Sequence, residues 1–90
     1  MEASESNWTT RDGDIATEAA VLQLVLELHP TLLTVSELVR EVSGENAAFA
    51  ECDAVERAVR DLAGVGLLHH QDGFAIPTRG ALRFNELLDR

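Results

Sequence analysis

Cysteine, lysine and long apolar runs are scarce or missing in this 90-residue chain, and each absence removes a class of protein. The single cysteine, Cys52, excludes an intramolecular disulfide and a cysteine-rich zinc module. All seven basic residues are arginine, and they stand against 16 Asp and Glu, for a net charge of −9. This balance excludes a generally basic, DNA-coating protein and a polybasic membrane binder. No apolar run approaches the roughly 20 residues that a membrane-spanning helix needs.

Motifs for catalysis are also missing from the sequence. It has no glycine-rich phosphate loop, no nucleophile elbow and no evident pair of carboxylates in a pocket. His69 and His70 are adjacent on an expected strand, so their side chains point to opposite faces and cannot chelate one metal ion. A site built from His29, Cys52 and one of these histidines would lack the spacing of metal-binding motifs. We therefore expect no enzymatic activity, no metal and no cofactor.

The length of the chain allows one domain with one modest core. Residues 1–13 are polar and acidic, with Trp8 as the one large apolar side chain, and this composition predicts a disordered tail. We divide the chain into this acidic tail, 1–13, and a folded domain, 14–90. The tail resembles neither a signal peptide nor a transit peptide, so we expect a cytoplasmic protein.

The first helix is expected to begin at Asp14, a good N-cap, and to end at Leu28 before His29-Pro30. Its apolar residues form two neighbouring stripes, with Ile15, Leu22 and Val25 on one and Val21, Leu24 and Leu28 on the other. A helix that is apolar this far round is either central to the core or shared with a partner chain. Both interpretations stay open at this point.

A capping box opens the second helix. Thr34 is the expected N-cap and Glu37 lies three residues later, after the short extended segment 32–34. The helix should run through Val42 and end at Gly44, because glycine suits the left-handed conformation that follows a helix.

The third helix is expected to begin at Asp53, with Glu56 three residues on, and to close at Gly64. Its core stripe follows the helical spacing i, i+3, i+4, i+7 and consists of Val55, Ala58, Val59 and Leu62. Phe49, in the connector before it, is expected to anchor that loop on the core.

Two short apolar segments, 67–70 and 74–77, flank Gln71-Asp72-Gly73. An Asp-Gly pair between such segments is a strong signal of a β-hairpin. Thr78 can then cap a fourth helix that continues to the C-terminus.

The order of elements, the opening Leu33–Leu38 of the second helix and the segment Ala54–His69 together resemble the winged helix-turn-helix family. The second segment ends in Leu-x-x-x-Gly-Leu-Leu, which is common in MarR-like and PadR-like regulators. The resemblance covers Asp14 to Asp89. It implies a winged helix-turn-helix fold that is mainly α with a small β-hairpin, in the order α-β-α-α-β-β-α.

The resemblance also implies a small DNA-binding transcriptional regulator that acts as a homodimer on duplex DNA. Its third helix would enter the major groove, and its hairpin, the wing, would contact the backbone or the minor groove. The DNA-binding candidates are Glu56, Arg57 and Arg60 on the helix, His69, His70 and Gln71 on the wing, and Arg79 and Arg83 as further members of a positive patch. The candidates for the dimer interface are Val21, Leu24, Leu28, Leu87 and Leu88.

Charge leaves a second function open. The expected third helix carries three carboxylates against two arginines between Asp53 and Asp61, and Asp72 lies at the tip of the wing. DNA-binding faces usually concentrate positive charge, because phosphate contacts carry much of the affinity. The alternative is an acidic winged-helix module that binds proteins and not DNA. Its arginines would pair with nearby carboxylates on a solvated face, the candidates being Glu56, Asp61 and Glu86.

Overall fold

Four helices and three short strands make up the part of the chain that the computed structural model describes, residues 10–89. In chain order they are α1 Thr10–Leu28, β1 Leu33–Thr34, α2 Val35–Ser43, α3 Phe49–Gly64, β2 Leu68–Gln71, β3 Phe74–Pro77 and α4 Arg79–Leu88. This is the expected order, and the protein is mostly helical. None of the helices in residues 10–89 is long and apolar enough to cross a bilayer.

The β-hairpin turns at Asp72-Gly73, as predicted. Both residues have positive φ, 55° and 81°, which a two-residue hairpin turn of this kind requires. The strand β3 also pairs with β1, so the hairpin belongs to a three-stranded antiparallel sheet in the order β1-β3-β2. The amide of Val35 donates to the carbonyl oxygen of Gly73 at 2.9 Å, which holds the turn against the start of α2.

The predicted first helix begins too late. The helix α1 starts at Thr10, so residues 10–13 of the expected disordered tail are helical, and Asp14 lies inside the helix and not at its N-cap. Instead of capping the helix, the Asp14 carboxylate accepts a hydrogen bond from Arg57 on α3 at 3.1 Å. Residues 1–9, which include Trp8, lie outside the described part of the chain.

The predicted start of the third helix is also wrong. The helix α3 begins at Phe49, one turn before Asp53, and the amide of Ala48 donates to the Glu51 carboxylate at 2.8 Å. The alanine-rich residues 47–50 favour this earlier start. The expected anchor, Phe49, does not reach the core, and its side chain is 87% exposed.

The core lies where α1, α2 and α3 meet the sheet. The predicted α3 stripe is buried, as are one leucine of α2, two valines of α1 and residues of each strand: Val21, Val25, Leu33, Leu38, Val55, Ala58, Val59, Leu62, Leu68 and Ala75. The helix α1 is therefore central to the core on one side. Near its two ends, Ile15 is 51% exposed and Leu28 is 41% exposed.

The capping box at α2 is confirmed, and it yields a prediction. The Glu37 amide donates to the Thr34 hydroxyl at 3.1 Å, and the Thr34 amide donates to the Glu37 carboxylate at 2.8 Å. Thr34→Ala removes one acceptor and should lower the free energy of unfolding by about 1 kcal/mol. Urea unfolding measures this loss, and Thr34→Ser, which keeps the hydroxyl, should retain most of the stability. Equal losses in the two variants would contradict the role of the cap.

Candidate functional site

Arg57, an expected DNA contact, is held between two carboxylates. Its Nη2 donates to Asp14 Oδ1 at 3.1 Å and its Nη1 donates to Asp53 Oδ2 at 2.7 Å. The hydrogen bond and the charge of Asp14, with smaller contributions from the charges of Asp53 and Asp61, raise the pKa of Arg57. The guanidinium stays charged, but its charge is already matched by neighbours of opposite sign.

Of the other three arginines of the expected positive patch, one forms an ion pair with a described carboxylate and two do not. Arg83 donates to the Glu86 carboxylate at 3.2 Å, the pairing that the solvated-face interpretation predicted. Arg60 and Arg79 are exposed, and no carboxylate of residues 13–89 lies within ion-pair distance of either guanidinium. The partners of Arg57, however, are Asp14 and Asp53 and not the expected carboxylates.

The hairpin candidates are all on the surface. The side chains of His69, His70 and Gln71 are exposed, and the two histidines point to opposite faces of β2. His70 shares the face of the buried Leu68 but lies beyond the core, where it lines a groove. The acidic Asp72 stands at the exposed tip.

That groove continues into a second depression along α3. The first has a volume of about 600 Å³ and the second about 260 Å³, and they share Val35, Ser36 and Glu56. We call the pair the α2–α3 channel. It is lined by Thr34, Val35, Ser36, Val39, Cys52, Glu56, Arg60, His70 and Gly73. Two of the DNA-binding candidates on α3, Glu56 and Arg60, and one on the hairpin, His70, therefore do lie on one surface.

Phe49 is the exposed residue that the sequence-based prediction missed. At 100° per residue, Phe49, Cys52, Glu56 and Arg60 fall on one side of α3, about a third of a turn from the core stripe. The sequence does contain a signal for this exposure, because Phe49 is out of phase with the predicted core stripe. The signal could not be used because the helix was expected to start after Phe49.

A second open surface lies between α1 and α4. It is a depression of about 550 Å³ whose apolar lining is Ala19, Leu22, Leu26, Phe84 and Leu88, and we call it the α1/α4 face. Phe84 is 60% exposed and Leu88 is 69% exposed. The rim of the face is polar, with Gln23, Glu27, Asn85 and Asp89.

The expected dimer set is only partly on this face. Val21 was a wrong choice, because it is fully buried in the core of the protomer. Leu24 lines a different, shallower groove beside α2. Leu28, Leu87 and Leu88 are exposed, as an interface residue must be in the isolated chain.

Within residues 10–89 no three His, Cys, Asp or Glu side chains are arranged to hold a metal ion. Comparisons of the chain with protein-family models, with curated proteins and with solved structures found no match.

Proposed function

We propose that this protein is an acidic winged-helix module that binds other proteins. The topology supports the winged-helix part of the proposal: two helices, α2 and α3, are followed by a hairpin whose second strand pairs with β1. In this interpretation α3 corresponds to the recognition helix and the β2–β3 hairpin to the wing.

The observation that carries the proposal is the pairing of Arg57. A guanidinium that already binds two carboxylates has its charge matched by neighbours, so it attracts a phosphate or a base less than an unpaired arginine does. The whole of α3 carries four carboxylates against two arginines, and the hairpin contributes Asp72 and no lysine or arginine. Such a surface repels the DNA backbone and attracts a basic protein surface.

A second candidate function is sequence-specific DNA binding, as a transcriptional regulator. One observation favours it: Arg60 and His70 line the same groove as Ser36 at the start of α2. An arginine without a described ionic partner at this place is available for phosphate or guanine.

Fluorescence anisotropy of a labelled pool of random-sequence duplexes separates the two functions. At low salt we expect no binding by the wild-type protein, because its net charge of −9 repels the phosphates. The variant Asp14→Asn/Asp53→Asn frees Arg57 and reduces the negative charge by two, so it should bind DNA more than the wild type does. Wild-type binding that weakens steeply with salt and disappears in Arg60→Ala would replace this proposal with the second candidate.

We also propose that the protein is a cytoplasmic homodimer. Exposed apolar side chains on the α1/α4 face support the dimer, because large contiguous apolar patches usually mark an interaction surface. The two helices also differ in charge. By sequence, α1 has four carboxylates and one arginine, whereas α4 has two arginines and one carboxylate. In a two-fold dimer, α4 of one protomer would lie on the more acidic α1 of the other.

A further inference from the structure

We propose that the α2–α3 channel binds a basic amphipathic helix of a partner protein, with an apolar side chain of that helix against Phe49 and a lysine or arginine against Glu56. This inference rests on the proposed function, because it names the surface and the class of partner that a protein-binding module of this shape would use.

The length of the channel suits a short helix. The α3 residues on the channel side run from Phe49 to Arg60, which is twelve residues of helix whose ends are about 16 Å apart. The adjoining depressions extend this surface across to α2 and the hairpin. Three turns of a partner helix have the same length, and a groove that receives an amphipathic helix is a common mode of recognition. In this channel Val35 and Val39 are the apolar part of the lining.

Phe49 supplies the apolar anchor beside the channel, on the same side of α3 as Cys52 and Glu56. Among residues 13–89 it is the most exposed of the large apolar side chains, at 87%, and Val35 and Val39 are half-buried in the channel. An aromatic side chain in water gains from burial against a partner, and aromatic residues dominate the binding energy of many interfaces. Nothing in residues 13–89 packs over Phe49, although the helix that carries it is well anchored by its core stripe.

Glu56 sets the charge of the partner. Its carboxylate lines both depressions, and no arginine of residues 13–89 forms an ion pair with it. The net charge of −9 adds long-range attraction for a cationic segment. Arg60 stands one turn further along α3, so the cations of the partner belong at the Phe49 end of the channel and an acidic or neutral group at the hairpin end.

The probe for the test is a fluorescein-labelled 14-residue amphipathic peptide of leucine and lysine, with a leucine–glutamate peptide of the same pattern as its counterpart. Anisotropy is measured with the full-length protein. The lysine peptide should bind and the glutamate peptide should not. Phe49→Ala and Glu56→Arg should each weaken binding of the lysine peptide about tenfold or more.

Two matched variants separate the channel from the general acidity of the protein. Glu18→Arg makes the same charge change on α1, and Val65→Ala removes an apolar side chain, 72% exposed, just beyond α3. Both should bind the lysine peptide nearly as well as the wild type. All four substitutions are outside the core, and far-ultraviolet circular dichroism confirms that each variant is folded.

Equal losses in the channel and control variants would overturn the proposal, because binding would then follow net charge and not the channel. The same holds if Phe49→Ala and Glu56→Arg change nothing. If the random duplex pool competes for the channel in a way that depends on Arg60, the channel is a DNA surface and the proposal fails. If the protein binds neither DNA nor the lysine peptide, this partner class is wrong while the proposed protein-binding function stands.

Discussion

Replacement of Leu38 by alanine is expected to lower the free energy of unfolding by about 2 to 5 kcal/mol, as deletion of a fully buried leucine side chain does in other cores. Leu38 has no exposed surface and is the one buried residue of α2. The valines of α2 are only partly buried against the core, so they cannot replace its contacts. Since small domains have about 5 to 15 kcal/mol of stability in all, this single change should remove a large share.

Urea unfolding followed by circular dichroism measures the effect. Leu38→Met keeps the volume and should cost less than about 1.5 kcal/mol. Leu32→Ala makes the same chemical change at a side chain that is 43% exposed, so it should cost far less than Leu38→Ala. A loss at Leu38 no larger than the loss at Leu32 would mean that α2 is not held to the core as the structure describes.

Local signals in the sequence predicted the elements that depend on neighbouring residues. The capping box at Thr34 and Glu37 and the Asp72-Gly73 turn are each completed within four residues, so their chemistry can be read without knowing the rest of the fold. The core stripe of α3 was predictable for the same reason, because helical spacing alone defines it. The order of helices and strands follows from these local elements.

The two wrong helix starts involve different contacts. Asp14 and Asp53 are good N-caps by composition, but Asp14 binds Arg57 of another helix, whereas Asp53 binds Arg57 four residues along the same helix. The partner of Asp14 is 43 residues away in the chain, a distance at which no local pattern can reveal a contact. The same two ion pairs change the functional conclusion, since they occupy the arginine that the sequence favoured as a DNA contact.

Phe49 and the α1/α4 face show a second limit of sequence reasoning. A large apolar residue is expected to be buried in the core. In a helix, its angular position relative to the core stripe shows whether it is buried. The late predicted start of α3 left Phe49 in a loop, where helical phase has no meaning. Because α1 has apolar residues on all sides, its sequence does not show which of its leucines face α4. The structure assigns Leu22 and Leu26 to that side and Val21 to the core.

Disruption of the proposed homodimer should be the largest effect of any surface substitution. The variant Phe84→Glu/Leu88→Glu places two carboxylates in the middle of the α1/α4 face, where they would be buried against the more acidic α1 of the second protomer. The dissociation constant of the dimer is then expected to rise about a hundredfold or more. Both side chains are exposed in the protomer, so the fold should persist.

Sedimentation equilibrium measures this directly, because the chain has a mass of 9.8 kDa and a dimer has twice that mass. The wild type should sediment as a dimer and the double variant as a monomer at the same concentration. Val65→Glu is the matched control, since it adds the same charge at an exposed apolar residue that does not line the face. A wild type that sediments as a 9.8 kDa monomer at high concentration would contradict the dimer. Dissociation by Val65→Glu as well would place the interface elsewhere.

If the α1/α4 face does join two protomers, the α2–α3 channel of each stays free, because the two surfaces share no residue. The dimer would then present two copies of the channel to its partners.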